Sequence, residues 1–371
     1  MRDTIEFKVK FITPLLIHGA DPKIPDAQGM AKALRGAWRF WFRAITGGIL
    51  QSTFPPPADL SKAVYDKECE VFGSADEKVG TRFRMRVEPL TYDIDQMVDE
   101  FRLGFNVRGR NIPAEVQGYG PGATFKVIIN PRSQVDFQKD SLLSTIWLWA
   151  NLGSLGQRSR RGFGSPVILE ESGGNFILSG NQGNLPVGES FESRKAIEDH
   201  LIDGLKKCWR CTASLTDEAG IPPIDSNDAP TNATFFILRS LKQVAVGKKS
   251  LQTYTPPEVT EITPKKNREP IYGLKDLPIL TGLKDAAPTI DLTHAITQVH
   301  GNNACDELGF ARNNGRLASP VYMRLHKVAA NDKEEIYPVV TWSHPSSQPD
   351  NCARKWLEGI GFTKYLSGDQ I

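Results

Sequence analysis

The sequence predicts an α+β protein made of two domains. A chain of 371 residues exceeds the size at which a single hydrophobic core keeps growing, so two cores are expected. Stretches with apolar side chains at every second position, typical of half-buried strands, are separated by stretches with helical spacing. Hydrophobic residues make up 40% of the chain and charged residues 24%, which is the balance of a globular protein.

The first half opens with a strand and a helix. Residues 5–11 form the strand, because apolar and polar side chains alternate there. The helix is predicted over residues 30–45, where the large apolar residues recur every three or four positions. These are Leu34, Trp38, Trp41 and Ile45. The Gly47-Gly48 pair is expected to end this helix.

The remaining elements repeat this alternation. They are a short helix that ends near residue 72, strands at 82–87, 125–129 and 167–169, helices at 141–152 and 193–209, strands at 234–238 and 321–328, and a tail helix at 351–360. The new strand at 234–238 indicates a boundary that divides the chain into domains 1–228 and 229–371. The basic segment 248–270 is expected to be a surface excursion. The order in each half is typical of ferredoxin-like or RNA-recognition-motif-like sandwiches.

Composition narrows the class of protein. A net charge of +2 argues against a protein that coats nucleic acid non-specifically, so the distribution of basic residues matters more than their total. Five cysteines are few and odd in number, so a reducing, cytoplasmic location is expected instead of a disulfide framework. No apolar run approaches the ~20 residues that span a bilayer, so no membrane association is expected.

The most informative segment is residues 153–165, GSLGQRSRRGFGS, here called the glycine-arginine loop. Glycines let backbone N–H groups approach a phosphate, and guanidinium groups add charge and paired hydrogen bonds. The loop is therefore predicted to bind an RNA backbone. Its candidate residues are Arg158, Arg160, Arg161, Gly156, Gly162 and Gly164. The alternative is a flexible basic loop that contacts only solvent.

A second candidate is the arginine row, which comprises Arg35, Arg39 and Arg43 at a spacing of four on the helix at 30–45. With the tryptophan stripe of that helix buried, the row is expected to border the groove into which the glycine-arginine loop opens. An RNA strand would then lie between helix and loop.

The arginine row also has a structural alternative. Its members can pair with carboxylates such as Glu68 or Glu70, or pack flat on Trp38. Trp38 and Trp41 are themselves predicted to be core residues, and not platforms for stacked bases. The Cys208 and Cys211 pair has zinc-compatible spacing, but no second pair follows, so a buried or incidental pair is favoured and no metal is predicted.

These motifs resemble a known family. The glycine-arginine loop closely resembles the glycine-rich loop near the end of RAMP-superfamily domains in CRISPR systems. The segment IPDAQGMAKALRGAWRFWFRAITG at 24–47 resembles the element that follows their first strand. Together with VFGS at 71–74, the set looks most like the first subunit of the Cmr effector complex, type III-B. In the second half, only GRLASPVYMRL at 315–325 is similar to the closing segment of the family.

The resemblance implies a function. It implies tandem ferredoxin-like RAMP domains with insertions, a grip on single-stranded guide or target RNA near the guide 3′ end, and other Cmr complex subunits as partners. It also implies antiviral defence without a cofactor and without catalytic residues. The second-half loop at 308–320, LGFARNNGRLASP, departs from the first because it lacks the arginine run.

Two other functions stay open. RAMP proteins that cut RNA use a histidine or a loop aspartate beside a metal, so an endoribonuclease would use His18, Asp21 or Asp26, which follow the first strand. An aspartate flanked by prolines is otherwise a turn or cap residue, and His18 is also a candidate RNA contact. A structural spacer that touches only protein partners is the third reading.

Overall fold

A computed structural model describes the chain at residues 4–21, 24–51, 58–74, 76, 78, 80–90, 98–107, 110–133, 137–160, 162–179, 183–216, 236–238, 241–247, 310–312, 315–317, 321–330 and 333–342. The helices are α1 (Met30–Gln51), α2 (Leu60–Phe72), α3 (Lys139–Leu152) and α4 (Arg194–Ala213). The strands are β1 (Ile5–Phe11), β2 (Phe83–Pro89), β3 (Val98–Val107), β4 (Arg110–Tyr119), β5 (Thr124–Pro131), β6 (Pro166–Ile168), β7 (Val244–Val246), β8 (Phe310–Arg312), β9 (Gly315–Leu317), β10 (Val321–Ala330) and β11 (Lys333–Trp342). Their pairs are antiparallel, so the predicted mixture of helix and strand is confirmed.

Four strands of the first half form one antiparallel sheet in the order β2-β5-β1-β6. Helix α1 lies between β1 and β2 in the chain, and α3 lies between β5 and β6. This order is the split βαβ pattern of a ferredoxin-like domain, with α2 and the β3–β4 hairpin inserted. Side chains along β1 and β5 alternate between buried and half-buried, because one face of the sheet packs on the helices.

The core of this first domain is rich in aromatic residues. Trp38 of α1 packs against Phe7 of β1 and Trp149 of α3, with ring centroids 6.4 Å and 6.3 Å apart. Helix α4 packs on α3 and also contacts α1. A Cβ atom added to Gly204 of α4 would lie 1.9 Å from the Trp147 ring of α3, so glycine is needed where these helices approach.

A second antiparallel sheet has the order β10-β11-β7, and β8 pairs with β9. The three-stranded sheet is attached to the first domain, since β10 contacts α3 and β7 contacts α4. Backbone hydrogen bonds reinforce this attachment: the Phe191 N–H donates to Lys327 at 3.0 Å and the Ala329 N–H donates to Phe191 at 2.8 Å.

Most predicted elements correspond to observed ones. The helices at 30–45, 141–152 and 193–209 are α1, α3 and α4, and the short helix that ends near residue 72 is α2. The strands at 5–11, 82–87, 125–129, 167–169 and 321–328 are β1, β2, β5, β6 and β10. The patterns do not predict the β3–β4 hairpin or β11. The excursion at 248–270, the tail helix at 351–360 and the boundary after residue 228 lie outside the described residues.

The expected helix end at Gly47-Gly48 is wrong, because α1 continues to Gln51. Both glycines are buried, and so are Ile49 and Leu50 after them. Burial of this last turn outweighs the poor helix propensity of glycine, which costs about 1 kcal/mol per residue.

The strand expected at 234–238 is also wrong in its described part. Residues 236–238 lie in no strand, and the next strand, β7, begins at Val244. The Phe236 ring lies 5.3 Å from the Phe40 ring of α1. The Leu238 N–H donates to the Ala44 carbonyl of α1 at 2.9 Å. The segment therefore packs on the surface of α1, which no local pattern encodes.

No helix in the ranges given above is long and apolar enough to cross a membrane.

Candidate nucleic-acid interface

The glycine-arginine loop is a tightly folded turn against the chain that follows β1. Gly156 has φ +86°, and a Cβ atom there would lie 2.5 Å from the Leu16 carbonyl oxygen. Gly164 has φ +61°, and a Cβ atom there would lie 2.0 Å from the Leu155 carbonyl oxygen. These two glycines are required because the backbone is left-handed and closely approached by other backbone.

Several N–H groups of the loop are used internally. The Gln157 N–H donates to Leu16 at 2.8 Å, and the Gly164 N–H donates to Pro14 at 2.8 Å. The Thr13 hydroxyl donates to the Gly162 carbonyl at 2.7 Å. The expectation that loop N–H groups turn outward toward a phosphate is therefore wrong for Gln157 and Gly164. The glycines of the loop therefore shape its backbone.

Arg160 connects the loop to the second sheet. Its guanidinium carbon lies 4.6 Å above the centroid of the Tyr322 ring of β10, a cation–π distance. Its carbonyl accepts the Met323 N–H at 3.2 Å. Arg158 has φ +56° and, like Arg160, is half-buried. Arg161 lies outside the described residues.

An aromatic cluster surrounds this stacked pair. The Tyr322 ring lies 4.9 Å from the Phe40 ring of α1 and 5.2 Å from the Phe236 ring. Phe40 and Phe236 are half-buried, while Trp41 beneath them is buried, as predicted. Burial raises the pKa of the Tyr322 hydroxyl, and the nearby Arg160 charge opposes this rise. The cluster therefore combines a cation with partly accessible rings.

Such a combination suits single-stranded nucleic acid. Guanidinium groups pair with phosphates in a bidentate manner. Aromatic rings accept stacked bases regardless of sequence, and each such stack contributes about 1–3 kcal/mol. The surface formed by Arg158, Arg160, Tyr322, Phe40 and Phe236 is called the junction surface below.

The arginine row lies on the side of α1 opposite to the glycine-arginine loop. Two of its members are paired with a carboxylate. Arg39 donates to the Gly73 carbonyl at 2.7 Å, and its Nε lies 3.4 Å from Glu68 Oε1. Arg43 lies 3.2 Å from the other oxygen of Glu68. The Glu68 side chain is only 4% exposed, so a buried carboxylate from α2 holds both guanidinium groups.

Arg35 completes the row; among the described residues it contacts an aromatic ring and no carboxylate. Its guanidinium carbon lies 5.2 Å from the Phe83 ring centroid. Burial lowers its pKa first, and the positive charges of Arg39 and Arg132 lower it further.

The single cleft expected between the arginine row and the glycine-arginine loop is wrong. Gly153, where the loop begins, approaches Trp41 so closely that an added Cβ atom would lie 2.3 Å from its indole nitrogen. Arg39 and Arg43 are each two positions from Trp41 along α1, or about 200° around the helix axis. Loop and row therefore occupy opposite sides of α1.

Two loop residues considered for catalysis have local structural contacts. His18 Nε2 lies 2.7 Å from the Gln117 carbonyl oxygen of β4. Asp26 caps the short 3₁₀ turn at Ala27–Gly29, accepting the Gln28 N–H at 2.7 Å. Asp21, which lies between them in the chain, is exposed. None of these contacts arranges a general acid and base around one reacting atom.

The cysteine pair is buried, which agrees with the buried or incidental pair that the sequence favoured. Cys208 and Cys211 of α4 are free thiols with almost no exposure. Burial raises the pKa of Cys211 to about 11 and raises the pKa of Cys208 as well. Within the described ranges, no group of three or more His, Cys, Asp and Glu residues is placed to hold a metal ion.

Sequence reasoning missed a buried polar network that connects β10 with β6, α3 and α4. Arg324 of β10 is buried and donates to the Pro166 and Leu325 carbonyls; burial lowers its pKa to about 9. The imidazoles of His326 and His200 donate to the main-chain and side-chain oxygens of Asn151 at 2.9 Å and 2.8 Å. Burial lowers the pKa of His200 to about 3. The spacing of these residues along the chain does not predict contacts between segments so far apart in the sequence.

The fold and the loop define a class of protein. Residues 8–167 match the family model of the RAMP superfamily, and this range runs from β1 into β6, through the glycine-arginine loop. Within this range the chain is similar to RAMP-superfamily domains, and the predicted resemblance is confirmed.

Two curated relatives are Cmr subunits from Pyrococcus furiosus. CRISPR system Cmr subunit Cmr1-1 is 32% identical over 178 residues, covering 45% of this chain and 48% of that protein. CRISPR system Cmr subunit Cmr1-2 is 26% identical over 182 residues, covering 43% of this chain and 91% of that protein. The matched segment thus spans about half the length of the first relative.

The fold similarity extends further than the sequence similarity. A chain in the cryo-EM structure of the Type III-B Cmr-beta, bound to cognate target RNA and AMPPnP in the presence of ssDNA, aligns with a TM-score of 0.52 at 12% identity. The alignment covers 97% of this chain and 99% of that chain. At this identity the likeness concerns the fold.

Proposed function

We propose that this chain is a non-catalytic RNA-binding subunit of a CRISPR type III-B (Cmr) RNA-guided effector complex. The two Cmr1 relatives and the RAMP-superfamily domain support a place in such a complex. The chain would hold single-stranded guide or target RNA near the guide 3′ end, with other Cmr subunits as neighbours. Its role would be antiviral defence.

The observation that carries this proposal is the stacking of Arg160 over Tyr322. A loop from the first domain and a strand from the second sheet meet there, beside the half-buried Phe40 and Phe236 rings. Phosphates would contact the arginines of the loop and bases would stack on the rings, which favours shape over sequence. Arg161 joins Arg158 and Arg160 in this proposal because it is their neighbour in the chain.

The other predicted RNA contacts receive different roles. Gly156, Gly162 and Gly164 all have positive φ angles and shape the loop. Arg39 and Arg43 join α1 to α2 through Glu68. His18 joins the loop after β1 to β4. Their contribution to RNA affinity would therefore be indirect.

We also infer that the chain holds tandem ferredoxin-like domains, 1–228 and 229–371. The first sheet has the required order, and β10, β11 and β7 supply an antiparallel sheet to which the second domain would add. The connecting residues near the boundary lie beyond the described ranges.

Binding of labelled single-stranded RNA to the full-length chain tests the function. The variant Arg158→Gln/Arg160→Gln should weaken affinity about tenfold or more, since charge-assisted hydrogen bonds contribute about 1.5–3 kcal/mol each. If four to six phosphates are neutralised, log affinity should fall against log salt with a slope of roughly −3 to −4. Arg43→Gln, whose guanidinium pairs with Glu68, is the matched control and should stay within about twofold.

Three results would contradict the proposal. Affinity that ignores salt would remove phosphate contact as the basis of binding. Full RNA affinity in the loop variant, with assembly of the complex intact, would favour a structural spacer. Cleavage of the RNA with divalent metal, lost in Asp21→Ala, would instead establish the endoribonuclease alternative.

A further inference from the structure

A second basic site lies at the far edge of the first sheet, away from the junction surface. Arg84 of β2 and Asn130 of β5 are directly opposite each other in the antiparallel ladder. Because paired residues project to the same face of a sheet, their side chains share one surface. Together with Pro131 and Arg132 they line a cavity of about 390 Å³.

Among the residues that the structure describes, no carboxylate balances the charge of this cavity. Other cations of the same sheet face are paired: Arg86 contacts Glu88, and Lys126 lies 2.6 Å from Glu6. In the part of the chain that the structure describes, Arg84 and Arg132 have no ion-pair contact. Both residues are exposed, so their guanidinium groups are available to a ligand.

Neighbouring residues fix the cavity and add to its positive charge. The Arg132 N–H donates to the Arg82 carbonyl at 2.9 Å, which secures the end of β5. Arg35 lies close enough that the Arg132 charge lowers its pKa, after the larger effect of burial. An anion in the cavity would relieve this crowding of like charges.

The cavity offers hydrogen-bond donors. The Thr4 hydroxyl donates to Asn130 Oδ1 at 3.1 Å, which leaves the Asn130 amide NH₂ as a donor. The lining of the cavity therefore includes two guanidinium groups and one amide. A carboxylate has two acceptor oxygens in one plane, whereas a phosphate group has oxygens in several directions and matches donors from two strands.

We propose that this cavity, here called the edge pocket, binds a phosphate group of the single-stranded RNA. It would give the chain a second backbone contact, separate from the glycine-arginine loop. The proposal rests on the proposed RNA binding, but it concerns different residues and can fail alone. It predicts that two separate groups of arginines set the affinity for RNA.

The test compares Arg84→Gln/Arg132→Gln with Arg86→Gln in the full-length chain. Arg86 is on the same strand and 70% exposed, but it is paired with Glu88, so it controls for loss of one surface charge. The double variant should bind a labelled oligouridylate about tenfold more weakly, and its slope of log affinity against log salt should be shallower by about 0.7 per lost phosphate contact. Arg86→Gln should stay within about twofold.

Two further arms identify the ligand chemistry. Inorganic pyrophosphate should compete with RNA for the wild-type chain and compete less well in the double variant. Arg84→Lys/Arg132→Lys keeps the charge but loses the bidentate geometry, so it should recover only part of the affinity. Thermal unfolding of each variant should match the wild type, since both side chains are exposed.

The outcomes separate this inference from the proposed function. If the double variant binds RNA as the wild type does while Arg158→Gln/Arg160→Gln does not, the edge pocket is excluded and the function stands. An equal loss in Arg86→Gln would reduce the effect to general charge and also overturn the inference. If an oligoglutamate peptide binds only when Arg84 and Arg132 are present, and the double variant keeps its RNA affinity, the ligand of the edge pocket is an acidic protein partner and not RNA.

Discussion

Two arginine-rich regions flank helix α1, and they are built in opposite ways. On one side, Arg39 and Arg43 converge on Glu68, a carboxylate with 4% of its side chain exposed. On the other side, Arg160 lies over the Tyr322 ring at the seam between the first domain and the second sheet. The first arrangement uses guanidinium groups to join two helices, and the second presents a cation beside partly accessible aromatic rings.

The difference shows that arginine spacing does not reveal arginine function. A regular spacing of four makes a row on any helix, but a carboxylate from another element decides whether that row is available. One residue, Glu68, pairs with two of the three arginines of the α1 row, Arg39 and Arg43.

The largest effect is expected for the glycine-arginine loop itself. Gly164→Ala should destabilise the chain by about 3 kcal/mol, because the residue has positive φ and its Cβ atom would meet the Leu155 carbonyl. Urea unfolding measures this change, and RNA affinity should fall with it. Gly174→Ala is the control, since no atom lies within 4 Å of its added Cβ, and its effect should stay within about 0.5 kcal/mol. Equal stability of the two variants would contradict this account of the loop.

The next largest effect is expected from acid, which should lower the stability of the fold through the buried His200. The pKa of His200 is lowered to about 3 in the folded chain, against an ordinary value of about 6.5 in the unfolded chain. The unfolded state therefore binds the proton first, and stability is lost as pH falls below about 6.5.

Between pH 7.5 and pH 5.0, His200 alone should remove about 2 kcal/mol of unfolding free energy. Burial lowers the pKa of His326 too, which acts in the same direction. Urea unfolding at both pH values measures the loss. In His200→Gln, which remains neutral, the pH dependence should shrink by a similar amount. An unchanged pH dependence in that variant would show that His200 does not titrate with folding.

Removing the buried carboxylate should be somewhat milder. Glu68→Gln leaves Arg39 and Arg43 facing a neutral amide, and the loss should be about 1–2 kcal/mol, because both guanidinium groups are partly exposed and regain water. Thermal unfolding of the variant checks the stability. RNA affinity should not fall, since the junction surface is on the other side of α1; a large drop would link the two sides.

The smallest effect is expected for one member of the α1 row. Arg43 is 44% exposed, so Arg43→Gln should cost only about 0.5 kcal/mol of stability. A double-mutant cycle with Glu68→Gln measures the coupling, which should be of the same size. A coupling near zero would mean that Arg39 alone holds Glu68.

Much of the first domain follows from local patterns. Alternation predicts β1, β2 and β5, and helical spacing predicts α1 and α3, because side-chain periods of two and near four are imposed by backbone geometry. The burial of Trp38 and Trp41 follows from the same reasoning. The patterns fail at Gly47-Gly48 and at Phe236, where contacts with distant residues outweigh local preference.

The site divides in the same way. From the sequence alone, the glycine-arginine loop is recognisable, since residue types and density suffice to mark it. Only the tertiary structure decides that Arg160 meets Tyr322 and that Arg43 meets Glu68, because these partners come from other elements. Charge is a property of a residue, but whether that charge is paired or available depends on which elements pack around it.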